Sequence, residues 1–246
     1  MKKDDLLRLE LKEKASGFRQ KFGYAETDPI YLKSFLLKNN VITVFSDLGE
    51  GLSGMALKVQ EDRFMLVNHG QSLGRQHFTI AHELYHLFVQ ENFVSRKCVT
   101  GLFSNQKDLE EKKADLFAAN LLLPETGMLN LIPIAERSGK ISEQTIFKIQ
   151  QYYSVSVKAV IFRLFAMGLV DKSYFDAFSG GLSSRANRLG YDGRLFFKGN
   201  ENLVVGDYAV LANQLYGERK MSESLYFEFL NSVNIDPLQT ADNGEE

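Results

Sequence analysis

Cysteine is almost absent from this chain: Cys98 stands alone among 246 residues. No internal disulfide can form, which excludes the secreted, disulfide-stapled class and points to a reducing compartment. An excess of charge of one sign is missing as well, since 29 basic side chains face 31 acidic ones for a formal net charge of −2. That balance argues against a protein that coats nucleic acid or anionic membrane through bulk charge. Long hydrophobic runs are lacking too. The most apolar stretches, such as 155–170 with its Lys158 and Arg163, fall short of the ~18 uninterrupted residues a bilayer span requires. The opening MKKDDLLRLELKEKASGFRQ breaks its leucines with charges every few residues, where an export signal needs an unbroken apolar core. No internal repeat or long low-complexity tract is present. With 44% hydrophobic residues the chain still has ample material for a core, so the expectation is a folded cytoplasmic protein with no membrane attachment.

Apolar periodicity organises what is there. Leu6, Leu7, Leu9 and Leu11, followed by Ala15 and Phe18, place a greasy stripe on a charged N-terminal helix. Asp28 and Pro29 suit the cap and first turn of a second helix over 30–38, closed by Asn39 and Asn40. Three β-rich runs at 41–45, 53–59 and 63–68 predict a small antiparallel sheet, the last two joined as a hairpin. A long helix is expected to begin somewhere over 73–78 and run to about 90, and another over 108–123 that Pro124 ends. From 141 the pattern reads helix, break at 153–156, helix to Met167, with Ser156 as N-cap and Gly168 as stop. The small, flexible run 178–185 marks a soft boundary, and two further helices follow at 207–216 and 222–233 before an acidic tail expected to fray.

All four histidines, His69, His77, His82 and His86, fall within eighteen residues. The last two form H-E-x-x-H on the helix that starts near 73. Residues four apart share a face one turn apart, so both imidazoles can reach one ion. Glu83 points about 100° around the axis, beside such an ion without ligating it, where a carboxylate can take a proton from a water. At this chain's usage of His and Glu, a chance match is expected about once in two hundred such sequences, so the motif alone still leaves room for two merely structural histidines. A catalytic zinc needs a third protein ligand and an open position. The 108–123 helix offers Glu110, Glu111 and Asp115 in its first turns. Glu111 and Asp115 share a face, so one can ligate while the other accepts the free N–H of a ligand histidine. Glu110 is the fallback ligand.

Two segments, RQHFTIAHELYH at 75–86 and EKKADLFAANLLLP at 111–124, resemble the ImmA/IrrE family of bacterial metallopeptidases. Its pattern reads approximately R-x-x-F-T-x-A-H-E-L-G-H, then E-x-x-A-[ND]-x-F-A-x-x-L-L-x-P. The resemblance is clear over 68–124 and weaker through the sheet upstream and through 153–164 downstream. It implies that His82, His86 and Glu111 bind zinc and that Glu83 is the general base. Tyr85 departs from the pattern, standing where glycine is common; a phenol there either crowds a neighbour or hangs into the cleft.

The expected fold is therefore α+β and zincin-like: a helical arm over 1–24, a peptidase domain over 25–172 and a helical C-terminal region over 173–246. Zinc would polarise the scissile carbonyl while Glu83 moves the proton and Asp115 orients a ligand histidine. Tyr85, His77 and His69 are polar candidates for an oxyanion donor, none of them assigned. The run 53–59, with Gly51 and Gly54 nearby, reads either as an edge strand that pairs with extended substrate or as an ordinary strand with a bulge. Cys98 reads as a bystander to the metal. The 141–170 pair mimics a DNA-binding helix-turn-helix, but its second helix is mostly apolar, which argues against direct DNA binding. The resemblance implies an endopeptidase that cuts a helix-turn-helix transcriptional repressor in a stress, mobile-element or toxin–antitoxin system. A non-proteolytic binding or toxin-type regulator with a structural metal site would use the same side chains, and a metal-free DNA-binding protein is a third reading.

Overall fold

The computed structural model describes residues 3–93, 95–98, 109–233 and 235. The acidic tail at 236–246 lies outside them. Helices α1 (Lys3–Lys21) and α2 (Leu32–Lys38) lead into β1 (Val41–Ser46), β2 (Gly54–Val59) and β3 (Asp62–Asn68). Then come α3 (Leu73–Phe88), β4 (Ser95–Cys98), α4 (Leu109–Leu122), α5 (Glu125–Leu131), α6 (Ile134–Arg137), α7 (Glu143–Tyr152) and α8 (Val157–Ala166). The remainder holds α9 (Ser173–Ala177), α10 (Leu182–Arg188), a 3-10 turn at Arg194–Phe196, β5 (Val204–Val205), α11 (Tyr208–Gly217) and α12 (Glu223–Ser232). None of these helices is long and apolar enough to cross a membrane.

The sheet is mixed, in the order β4-β2-β3-β1-β5, and so differs from the antiparallel sheet expected. β1 and β3 run parallel, Val41 opposite Arg63 and Ser46 opposite Asn68. After β1 the chain passes beyond the place of β3 to lay down β2, and the hairpin then returns β3 between them. Local alternation shows which residues are strands but not this order, because every strand here keeps the same period of two. β2 is likewise not an edge: β4 pairs along it, Gly54 opposite Cys98, and takes the terminal position. α2 begins at Leu32 rather than at 30, with Pro29 left in the preceding turn.

One sheet face is built for a helix. Thr43, Phe45, Ala56, Met65 and Val67 are buried on it, and α3 lies across β2 and β3. Gly54 sets the closest approach: a Cβ there would stand 2.6 Å from Thr79 Cγ2 and 2.9 Å from Glu83 Oε1. On the far side of α3, α4 packs against both α3 and α1. Phe18 of α1 is the common wedge, with ring centroids 5.5 Å from Phe35, 5.9 Å from Phe88 and 5.5 Å from Phe117, the last two edge-on as aromatic quadrupoles prefer.

The N-terminal end of α3 is fixed by segments distant in sequence. The Gln76 side chain donates to the carbonyls of His69, Gln71 and Gly199, and Asn200 donates back to Gln76. Residues 197–205, expected within a helical C-terminal region, thus return to α3 and supply β5 alongside β1. At the same end, the α7–α8 turn presses against Gly74, where a Cβ would lie 2.8 Å from Ser156 N. Ser156 caps α8 through Ala159 N as its spacing implied.

Candidate metal centre

Residues 78–87 of α3 are all buried, although five of them, Thr79, His82, Glu83, Tyr85 and His86, carry polar atoms that need partners. His82, Glu83 and His86 have no exposed surface. Such a helix is tolerable only if each polar group is satisfied, and α4 supplies most of what is required. Its Glu111 carboxylate reaches both imidazoles, Oε2 at 3.3 Å from His82 Nε2 and Oε1 at 3.5 Å from His86 Nε2. The two Nε2 atoms lie 3.3 Å apart. Ligand atoms of His82, His86 and Glu111 all fall within 4.8 Å of one another, the grouping a metal ion requires.

The other ring nitrogens face away and are occupied. His82 Nδ1 donates to Asp115 Oδ1 at 2.9 Å, one helical turn beyond Glu111 on α4. His86 Nδ1 lies 2.5 Å from Gln90 Oε1. With both Nδ1 atoms held by acceptors, both Nε2 atoms are left to converge with a carboxylate, so the donor set fits a divalent ion of borderline softness that would displace any proton held there. Burial alone would push the His82 imidazole down; its bonds to Asp115 and Glu111 and the charge of Glu83 outweigh that and hold it up at about 9. Burial would raise the Glu111 carboxyl, yet its bonds to the same imidazoles keep it well below the usual carboxylate range.

Glu83 stays out of the convergent group, as its place around the helix implied. It faces β2, where the missing side chain of Gly54 leaves room for its carboxylate. Glu110, the alternative ligand, is engaged elsewhere, accepting from Tyr85 Oη at 2.9 Å and from Lys113 Nζ at 2.6 Å. Tyr85 therefore packs against α4, its ring 5.6 Å from Phe117, and does not hang into a cleft. His77 is equally committed away from the centre, Nδ1 donating to the Ser154 carbonyl at 2.6 Å, and burial pushes its imidazole down. Neither serves as an oxyanion donor in this arrangement. His69 contributes its backbone to the β3–α3 turn. The side chain of Cys98 lies outside what is described.

The helix-turn-helix mimic is bound into the same scaffold. α8 buries Val157, Ala159, Val160, Ile161, Arg163 and Leu164. Arg163 donates from Nε to the Leu123 carbonyl at 2.9 Å. Arg19 of α1 does the matching job nearby, Nη1 donating to Leu121 O at 2.6 Å while its other nitrogens hold the carbonyls of Ala25 and Asp28. Two cations thus sit at the negative end of the helix that carries Glu111 and Asp115.

Sequence reasoning missed Gln90, Phe93 and the role of Gly54. Phe93 stacks on His86 with centroids 5.2 Å apart, and nothing in its spacing announces this. Gln90 had a signal, since it stands four residues after His86 as His86 does after His82. Comparison with known families gives one match: residues 38–165, just over half the chain, fit the family model of the IrrE N-terminal-like domain of M78 peptidases. Comparison with curated proteins gives no match.

Proposed function

Because the chain belongs to the IrrE N-terminal-like family of metallopeptidases, we propose that it is a zinc-dependent endopeptidase acting in the cytoplasm on a helix-turn-helix transcriptional repressor. The observation that carries this reading is the convergence of both Nε2 atoms with Glu111 while a buried Glu83 stands beside them. Two imidazoles and one carboxylate are the donor set of many catalytic zinc sites, and a fourth position stays open for water or substrate. His82, His86 and Glu111 would hold the ion, which when bound polarises the scissile carbonyl and lowers the pKa of water towards 7.

The chain's own side chains do the rest. Asp115 keeps His82 in the tautomer that presents Nε2. Glu83 accepts the proton of the attacking water as the oxygen–carbon bond forms, then delivers it to the amine nitrogen as the carbon–nitrogen bond breaks. Water is the nucleophile, so no covalent enzyme intermediate is needed. Extended substrate pairs with the outer edge of β4, the terminal strand on the Gly54 side of the sheet among the described residues. The repressor as substrate rests on the family resemblance of the two motifs, and such a regulator acts on one partner and poorly on generic peptides.

Purified protein incubated with the repressor encoded beside it should make one discrete cut that a chelator abolishes and zinc restores. Intact repressor with zinc-loaded enzyme would remove the substrate assignment. Unchanged cutting by Glu83→Gln would remove the mechanism.

A further inference from the structure

The two proposed histidine ligands are held by unequal acceptors. His82 donates to a carboxylate on a second helix, whereas His86 donates to a neutral amide just past the end of its own helix. The backbone explains how Gln90 arrives there. α3 ends at Phe88, and the N–H groups of Val89 and Gln90 both donate to the Tyr85 carbonyl at 2.9 Å. The second of these bonds spans five residues instead of four, so the last turn widens and swings the Gln90 side chain back over His86.

We infer that Gln90 is a positioning residue for the metal centre: its amide oxygen fixes the His86 tautomer, and with Phe93 stacked on the ring it fixes the direction of Nε2. This rests on the zinc-site reading above. The amide oxygen can only accept, so Nδ1 carries the proton and Nε2 keeps its lone pair towards Glu111. Phe93 lies against the ring at 25° and limits its rotation about the Cβ–Cγ bond. The loop after α3 would thereby set how firmly the ion is gripped.

Three proteins decide it: wild type, Gln90→Leu and Gln90→Glu, each titrated with zinc against a chromophoric chelator and loaded separately with Co2+. Gln90→Leu should weaken zinc binding by about 10- to 100-fold and shift the visible Co2+ bands. The metal-free melting temperature should stay near wild type, because Gln90 is half-exposed. Gln90→Glu should restore or exceed wild-type affinity, which a merely structural glutamine would not require. Wild-type affinity and an unshifted spectrum in Gln90→Leu would overturn the inference while leaving the zinc site standing. Lack of rescue by Gln90→Glu would overturn it too. A wild-type protein that takes up no stoichiometric metal would instead bring down the functional reading and this inference with it.

Discussion

The α3–α4 pair and the α11–α12 pair invert the usual relation between composition and burial. α11 (YAVLANQLYG) contains no charged residue, yet Ala212 is its single buried side chain and Val210 is 62% exposed. α12 buries only Leu230. The pair is held chiefly by contacts within itself, such as the Tyr216–Tyr226 stack at 4.5 Å and the bond from Tyr226 Oη to Asn213. α3 and α4 bury two histidines, two glutamates and an aspartate instead. Burial follows the partners available, not hydrophobicity alone: His82, His86, Glu111 and Asp115 meet one another across the two helices, so the cost of dehydrating them is offset.

The contrast can be broken from the polar side with the largest effect. Glu83→Gln should cut peptide hydrolysis by about 10²- to 10⁴-fold while elemental analysis finds zinc retained. Arg19→Ala should destabilise the fold by about 3 kcal/mol, seen as a fall of about 10 °C in melting temperature, because it leaves the buried Leu121 carbonyl, and with it the carbonyls of Ala25 and Asp28, without the guanidinium donor. Gly54→Ala should cost about 1–3 kcal/mol through overpacking against Thr79 and should reduce turnover more than zinc affinity, since the added methyl meets the Glu83 carboxylate. Equal losses in both would show that Gly54 serves packing alone.

Smaller effects sharpen the comparison. Burial lowers the folded-state pKa of His77 below its ordinary 6.5, so the unfolded chain binds the extra proton first. The stability this neutral imidazole contributes is complete above pH 6.5 and declines as pH falls below it. Melting curves at pH 7.5 and 5.5 should therefore separate further for wild type than for His77→Asn, which keeps a donor to Ser154 without titrating. On the apolar pair, Val210→Ser should change stability by less than about 0.5 kcal/mol by chemical denaturation; a larger loss would mean that α11 is covered in solution.

Much of the proposed metal centre is legible in the sequence because helical spacing is rigid. His82 and His86 must share a face, and Glu111 and Asp115 must share another, whatever surrounds them. Choosing Glu111 over Glu110 is a different matter: both precede the same apolar run, and what separates them is Tyr85, whose hydroxyl claims Glu110 across the helix pair. The strands at 41–68 are visible through alternation, but their order is not, since a parallel β1–β3 pairing is decided by where the hairpin docks. β4 (SRKC) and the two-residue β5 lack any alternation of their own and exist by pairing with β2 and β1. Gln90 carries a spacing signal, four residues after His86, but its contact depends on a widened final turn that ideal helical geometry does not foresee.

Arg19 lies outside the matched segment 38–165 and Arg163 lies just inside its far limit, yet both grip carbonyls at one end of α4. The helix that presents Glu111 is thereby anchored by the earliest and the latest parts of the catalytic body. A fragment cut to the matched boundaries would keep every proposed metal ligand and lose one of the two anchors behind them. The leading helix is thus less a detachable handle than a keystone, set against the helix that carries two of the centre's carboxylates from chain lying well upstream of the matched segment.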